Sequence, residues 1–274
     1  MPALPPLACD SHMHVFDGRF AFAPQAHLRP PPATVQDYRQ VQQRLGLARV
    51  VVVQPSSYGT DNRCTLDAVA RLGPQAARAV VVVEPGADEA ELGRLHAQGA
   101  RGVRLNLARG AAPDLSAWAR LLQRARPLGW HLQLHCGLSA LEDLAPWLEG
   151  LPVPTVLDHL ARVPPQADAR ALATLRRLLD GGRLWVKLSA PYLDSRAGPP
   201  GYGDMQDAAH WLLAQAPERM LWGSDWPHPA ATAGEVPMPH DAALLHGALA
   251  WCDTQALADR VLQGNPAALY GFGP

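Results

Sequence analysis

His12 and His14 stand one residue apart in Asp-Ser-His-Met-His-Val-Phe at 10–16, a spacing that puts both imidazoles on one face of an extended strand. There they can hold one metal ion or one ligand together. Far along the chain, Leu-Trp-Gly-Ser-Asp-Trp-Pro-His-Pro at 221–229 runs a short apolar strand into a carboxylate, Asp225. A tryptophan and two prolines then stop the strand and stiffen the backbone. Strand-end carboxylates in α/β proteins lie where chemistry sits. A helix cap is the plainer role for Asp225, but Pro227 and Pro229 delay any helix start. His135 and His159 end two further apolar runs. The plainer alternatives for the histidines are interior rings bonded to backbone and, for His159, a structural pairing with Asp158.

Something must bring these residues together, and the chain carries a suitable rhythm. Apolar runs at 8–16, 49–55, 78–85, 102–107, 130–136, 153–159, 184–190 and 220–225 alternate with helical patterns at 34–47, 61–72, 88–98, 114–128, 139–148, 167–179, 205–216 and 240–252. This predicts an α/β fold, a (β/α)8 TIM-type barrel in one domain over 1–274. A last short helix at 255–262, leading to Asn-Pro-Ala-Ala-Leu-Tyr, is expected to pack on the barrel's outside. The Pro/Gly-rich breaks at 17–33 and 195–204 are expected to be loops over the mouth. Strand parity puts Asp10, His12 and His14 on one face, as it does Arg104 with Asn106, His131 with Gln133 and His135, Lys187 with Ser189, and Gly223 with Asp225. In a barrel these faces converge on one mouth. Lys187, the sole lysine, is expected in a buried ion pair with Glu84. His96, His210 and His246 fall on helices and His27 and His240 in loops, where the sequence assigns them no role.

The composition narrows the partners. With 24 basic and 25 acidic residues and a net charge of -1, nothing asks for nucleic acid or an anionic membrane, and a small molecule is the expected partner. Four dispersed cysteines form no C-x-x-C pair, which fits a reducing cytoplasm. No run approaches the length of a membrane span, and the sequence assigns no oligomeric state.

The histidine and aspartate motifs, with Val-Val-Gln-Pro-Ser-Ser-Tyr-Gly at 52–59, Gly-Ala-Arg-Gly-Val-Arg-Leu-Asn at 99–106, Leu-Asp-His-Leu-Ala-Arg at 157–162 and the Asn-Pro-Ala-Ala-Leu-Tyr segment, resemble the amidohydrolase superfamily. Within it they resemble the amidohydrolase-2 group, which contains 2-pyrone-4,6-dicarboxylate lactonase and related lactonases. The resemblance spans nearly the whole chain. It implies a distorted amidohydrolase-like barrel and a hydrolase in which Asp225 deprotonates water while His12, His14 and His159 hold or polarise the scissile carbonyl.

Arg104 stands where a bridging ligand of a two-metal site is expected, which disfavours such a site and suits a grip on a substrate carboxylate. Arg109, Arg162, Tyr58, Ser57 and His228 are further candidate substrate contacts. His135 stands where the group's pyrone lactonase has tyrosine. This restores a conditional single zinc set of His12, His14, His135 and Asp225, beside a metal-free alternative. The arginine expected after the seventh strand is replaced around Tyr192 and Leu193, with Arg196 nearby. Hydrolysis of a small carboxylated lactone is thus the leading expectation. A zinc-dependent decarboxylase of an unsaturated acid, a lactone isomerase and a non-catalytic acid-binding barrel are the alternatives.

Overall fold

Short runs rich in valine and leucine, each bounded by glycine, proline or a polar residue, become eight parallel strands in sequential order. They are β1 Cys9–Met13, β2 Arg49–Val53, β3 Ala77–Val81, β4 Ala100–Asn106, β5 His131–His135, β6 Thr155–Leu157, β7 Leu184–Ser189 and β8 Met220–Gly223. The computed structural model describes residues 1–108 and 113–273. Between the strands lie α1 Val35–Leu45, α2 Arg63–Leu72, α3 Glu89–Ala97, α4 Leu115–Ala125, α5 Leu141–Gly150, α6 Ala169–Asp180 and α7 Gln206–Gln215. After β8 come α8 Pro229–Thr232, α9 Asp241–Trp251, α10 Gln255–Asp259 and α11 Asn265–Tyr270. Side chains of Thr34, Asp88, Asp114 and Asp168 cap the first turns of four helices. The (β/α)8 barrel expected from the alternation is the fold, and none of its helices is long and apolar enough to cross a membrane among the described residues.

The barrel closes irregularly. No regular ladder joins β8 to β1. Instead Asp225 N donates to the His12 carbonyl and His14 N to the Trp226 carbonyl, both at 2.7 Å. The pairing of β1 with β2 shifts register between Asp10 and Met13. This corrects the expected parity, because Asp10 no longer shares a face with His12 and His14. It accepts from the Tyr38 hydroxyl of α1 and from the backbone and hydroxyl of Ser224, so it binds the first helix and the eighth strand's end to β1. Burial pushes the Asp10 carboxyl up, with these hydrogen bonds acting against that shift.

A second correction concerns the C-terminus. Tyr270 and Phe272 do not pack on the barrel's outside but cluster with Cys9, Val51, Val53, Val80, Val156 and Leu221. Tyr270 sits edge-on to His131, with ring centres 5.3 Å apart. Arg78 donates to the Tyr270 and Gly271 carbonyls and Arg49 to that of Gly273. The segment therefore plugs the N-terminal end of the barrel and leaves the opposite end for the site.

Closure leaves no room at Gly223. A methyl there would lie 2.5 Å from His12 Cβ and 2.8 Å from His12 N. Gly223→Ala is expected to lower the unfolding free energy by about 1–3 kcal/mol in urea denaturation. Gly247→Ala on α9 meets nothing within 4 Å and is expected to change it by less than about 1 kcal/mol, towards greater stability. Equal effects of the two substitutions would contradict this packing.

Candidate active site at the barrel mouth

At the C-terminal end of the strands, His12 and His14 of the β1 segment meet Asp225 just beyond β8. His12 Nε2 and His14 Nε2 lie 3.3 Å apart, and Asp225 Oδ1 is 3.5 Å from the first and 3.4 Å from the second. Their protons are assigned from the other partners. His14 Nδ1 faces the Val53 carbonyl at 2.8 Å and must donate to it. His12 Nδ1 faces Asp158 Oδ1 at 3.3 Å. His14 thus turns a bare Nε2 towards the carboxylate oxygen, and His12 Nε2 completes a triangle of possible ligand atoms with them.

A proton or a cation relieves such a triangle. A tetrahedral zinc site with bonds of about 2.1 Å has edges of about 3.4 Å, so the three donor atoms fit a divalent ion. They form one of two candidate metal groups among the described residues, the other being His12, Asp158 and His159. That second group already has cations. Lys187 Nζ is 3.4 Å from His12 Nδ1 and 3.9 Å from Asp158 Oδ1, and Arg104 Nη2 is 3.3 Å from Asp158 Oδ2. The room for a metal is therefore in the triangle of His12, His14 and Asp225. His135 stands outside it, beside His159, with its Nε2 3.4 Å from Arg162 Nη1.

Lys187 is buried as expected, but its partner is not Glu84, which is exposed. It donates to Gln133 Oε1 at 2.7 Å and pairs with Asp158, whose Oδ2 also accepts from Gln133. β5, β6 and β7 are thereby joined through one buried carboxylate. Burial opposes ionisation of Asp158, but His12, Lys187 and Arg104 outweigh it and hold the carboxyl well below its usual range. Asp225 is shifted the same way: burial would raise it, and attraction to His159 and His12 in their protonated forms outweighs that. Burial lowers His12, His135 and His159 to about 3, so all three rings are neutral at physiological pH. It also lowers Lys187 to about 8, against the attraction of Asp158.

The backbone is strained where it presents these groups. His159, Leu160, Ala161 and Arg162 form a turn with φ of 54°, 50°, 53° and 54°, and Asp225 and His228 have φ of 60° and 62°. Each left-handed non-glycine residue costs about 1–2 kcal/mol, and such strain gathers at functional sites.

Above the triangle opens a cavity of about 630 Å³, lined in part by His14, Ser57, Arg104, His135, His159, Arg162 and Asp225. The guanidinium of Arg104 reaches the Gln54 carbonyl and Asp158, leaving N–H groups over for a ligand. Arg162 is gripped by both oxygens of Asp194. Tyr58 and His228 are buried and do not line this cavity: Tyr58 hydrogen-bonds Asp17, and His228 faces Tyr192 and Asp241. Arg196 is exposed and also outside the lining. Arg109 lies outside the described residues.

Several cavity groups escaped the sequence reading. Gln25 and His27 line it from the loop after β1, and Glu235 and Val236 from the loop after β8. Tyr192, which donates to Asp225 Oδ2, also went unrecognised. Its signal was a tyrosine just past a strand end, in Ser-Ala-Pro-Tyr at 189–192, echoing the proline-braced Asp225.

A family model described as Amidohydrolase matches residues 9–272. The chain is 36% identical to 4-sulfomuconolactone hydrolase of Rhizobium radiobacter, covering 98% of this chain and 91% of that protein. It is 33% identical to D-galactarolactone isomerase of Agrobacterium fabrum, covering 100% and 94%. A solved apo structure from Agrobacterium tumefaciens superposes with a TM-score of 0.89 at 32% identity, covering 100% of this chain and 98% of that one.

The lowered imidazoles make stability depend on pH. In the unfolded chain they take up protons near 6.5, and in the folded chain only near 3. Their contribution is complete above 6.5 and is lost as pH falls towards 3, with Asp158 and Asp225 adding to the loss below 3.8. Urea unfolding of chelator-treated protein should show stability declining across that window, and His159→Asn should make the decline shallower. A flat profile there would contradict the burial of neutral histidines.

Proposed function

The chain belongs to the amidohydrolase family, and from that premise we propose that it is a lactonase that opens a small carboxylated cyclic ester by water attack, with Asp225 as general base. The observation that carries this reading is Asp225 Oδ1, set against two imidazole nitrogens in a cavity that Arg104 also lines. A base, a carbonyl-polarising group and a carboxylate anchor are what opening such an ester needs. The lactone-named relatives support the same reading.

In this mechanism Arg104 holds the substrate carboxylate by the N–H groups it has over, with Arg162 at the rim as a second cation. The rings of His14 and His159 line the cavity beside the ester carbonyl, with His12 buried behind them against Asp225. Asp225 takes a proton from water as the oxygen attacks the acyl carbon. When the ring C–O bond breaks, the same carboxyl returns the proton to the departing alkoxide, leaving a hydroxy acid. A divalent ion such as zinc, held by His12, His14 and Asp225, would supply Lewis acidity at the carbonyl and acidify water. The isomerase relative favours one second reading, migration of the ester between hydroxyls of a sugar-acid lactone, which uses the same base and anchor. Residues 1–274 act as one catalytic unit in this account, in a reducing cytoplasm that suits four free, buried cysteines.

Asp225→Asn is expected to lower kcat for lactone opening by about a hundred- to ten-thousandfold while the hydroxy-acid product still binds with a similar Kd. Unchanged turnover would remove Asp225 as the base. Elemental analysis of protein purified without nickel resin or chelator is expected to find about one divalent ion per chain, and almost none in His14→Ala. Lactone opening by protein free of metal would overturn the metal assignment and leave the direct role of Asp225.

A further inference from the structure

The two oxygens of Asp225 have different partners. Oδ1 lies against His12 and His14, while Oδ2 accepts the hydroxyl proton of Tyr192. Behind Tyr192 the row continues away from the cavity. His228 Nδ1 is 3.3 Å from the Tyr192 hydroxyl, and His228 Nε2 is 2.9 Å from Asp241 Oδ1. Tyr192 and His228 are buried, Asp241 opens α9, and none of the three lines the cavity. Their link to the chemistry is the carboxylate they hold.

The backbone builds the same arrangement. Asp225 and His228 share left-handed φ values in a turn closed by a 2.7 Å bond from His228 N to the Asp225 carbonyl. Non-glycine residues persist there only where their surroundings over-determine them. Here the surroundings are β1 on the side of Asp225, and Tyr192 with Asp241 on the side of His228. Asp241 accepts the Nε2 proton of His228 and so holds the imidazole edge-on to the Tyr192 ring, with ring centres 5.6 Å apart, which keeps the phenol in place by packing.

A carboxylate free to rotate offers water either oxygen, and neither at a fixed angle. Tyr192 has one proton to give, and Oδ2 receives it. We infer that Tyr192, backed by His228 and Asp241, is a positioning residue for the base: by holding Oδ2 it fixes the rotation of the carboxylate, and with it the angle at which Asp225 meets the attacking water. This rests on Asp225 being the base, and it gives His228 a role the sequence did not suggest.

The test is steady-state kinetics of Tyr192→Phe, His228→Ala, His228→Asn, the Tyr192→Phe/His228→Ala double variant and Asp225→Asn. The substrate is whichever carboxylated lactone in a panel of five- and six-membered rings the unaltered protein opens fastest. Tyr192→Phe keeps the ring and removes one hydrogen bond to a charged group, so kcat is expected to fall about 10- to 100-fold. KM should stay within about twofold, because the phenol does not touch substrate. His228→Ala should lower kcat without multiplying the loss in the double variant, since it acts through Tyr192. His228→Asn should recover part of that loss.

Three results would overturn the inference while leaving the base in place: Tyr192→Phe with unchanged kcat beside an inactive Asp225→Asn, a rise in KM alone, or losses that multiply in the double variant. Full activity of Asp225→Asn would instead remove the reading beneath it.

Discussion

The rest of the structure depends on the seam where the barrel closes. Between β8 and β1 the strands are joined by two backbone hydrogen bonds, Asp225 N to His12 O and His14 N to Trp226 O, and by the Asp10 carboxylate reaching Ser224. The residues that close the barrel are those whose side chains meet in its mouth. Gly223 lets β8 approach His12 closely enough for this. Geometry at the site and closure of the fold are therefore one constraint, and neither can relax without the other. The strained φ of Asp225 is held by the same seam.

Beneath the seam lies a charge balance that needs every member. Asp158 lies against Lys187, Arg104 and His12 Nδ1, with Gln133 bonded to both Asp158 and Lys187. A half-satisfied buried network is worse than an apolar core, so these strands are held in one arrangement. The network also decides what the mouth can do. It turns His12 Nε2 towards Asp225 and places the cations Lys187 and Arg104 beside Asp158. Burial keeps the rings of His12 and His159 neutral, so they do not act as fixed positive charges.

Much of this was legible in the sequence because it is carried by local signals. The eight strands are apolar runs with marked ends, and His12, His14, His135, His159 and Asp225 stand at their ends in motif form. What was not legible needs three dimensions. The irregularity in β1 carries no glycine or proline to betray it, so simple alternation wrongly placed Asp10 with the histidines. Asp158 looked like a mere neighbour of His159, although its partners come from β1, β4, β5 and β7. A lone lysine in an apolar strand says that it is buried, not with whom. Tyr270 reads as the end of an outer segment, because nothing local indicates a chain turning back into the barrel's base. His27 and Gln25 lie in a loop whose path is set by Ser57 and Tyr58 rather than by its own pattern.

The claim at the centre of the account is that Asp225 delivers water to an ester carbonyl. The most direct test is turnover of a carboxylated lactone in water enriched in oxygen-18, with the product examined by mass spectrometry after a single turnover. The account predicts one labelled oxygen per product molecule, located in the newly formed carboxylate and absent from the hydroxyl. Product without label would mean that the ring migrates and no water is added. Label in the hydroxyl would mean attack at the alkyl carbon, and release of carbon dioxide would mean a lyase; each of these results contradicts the account.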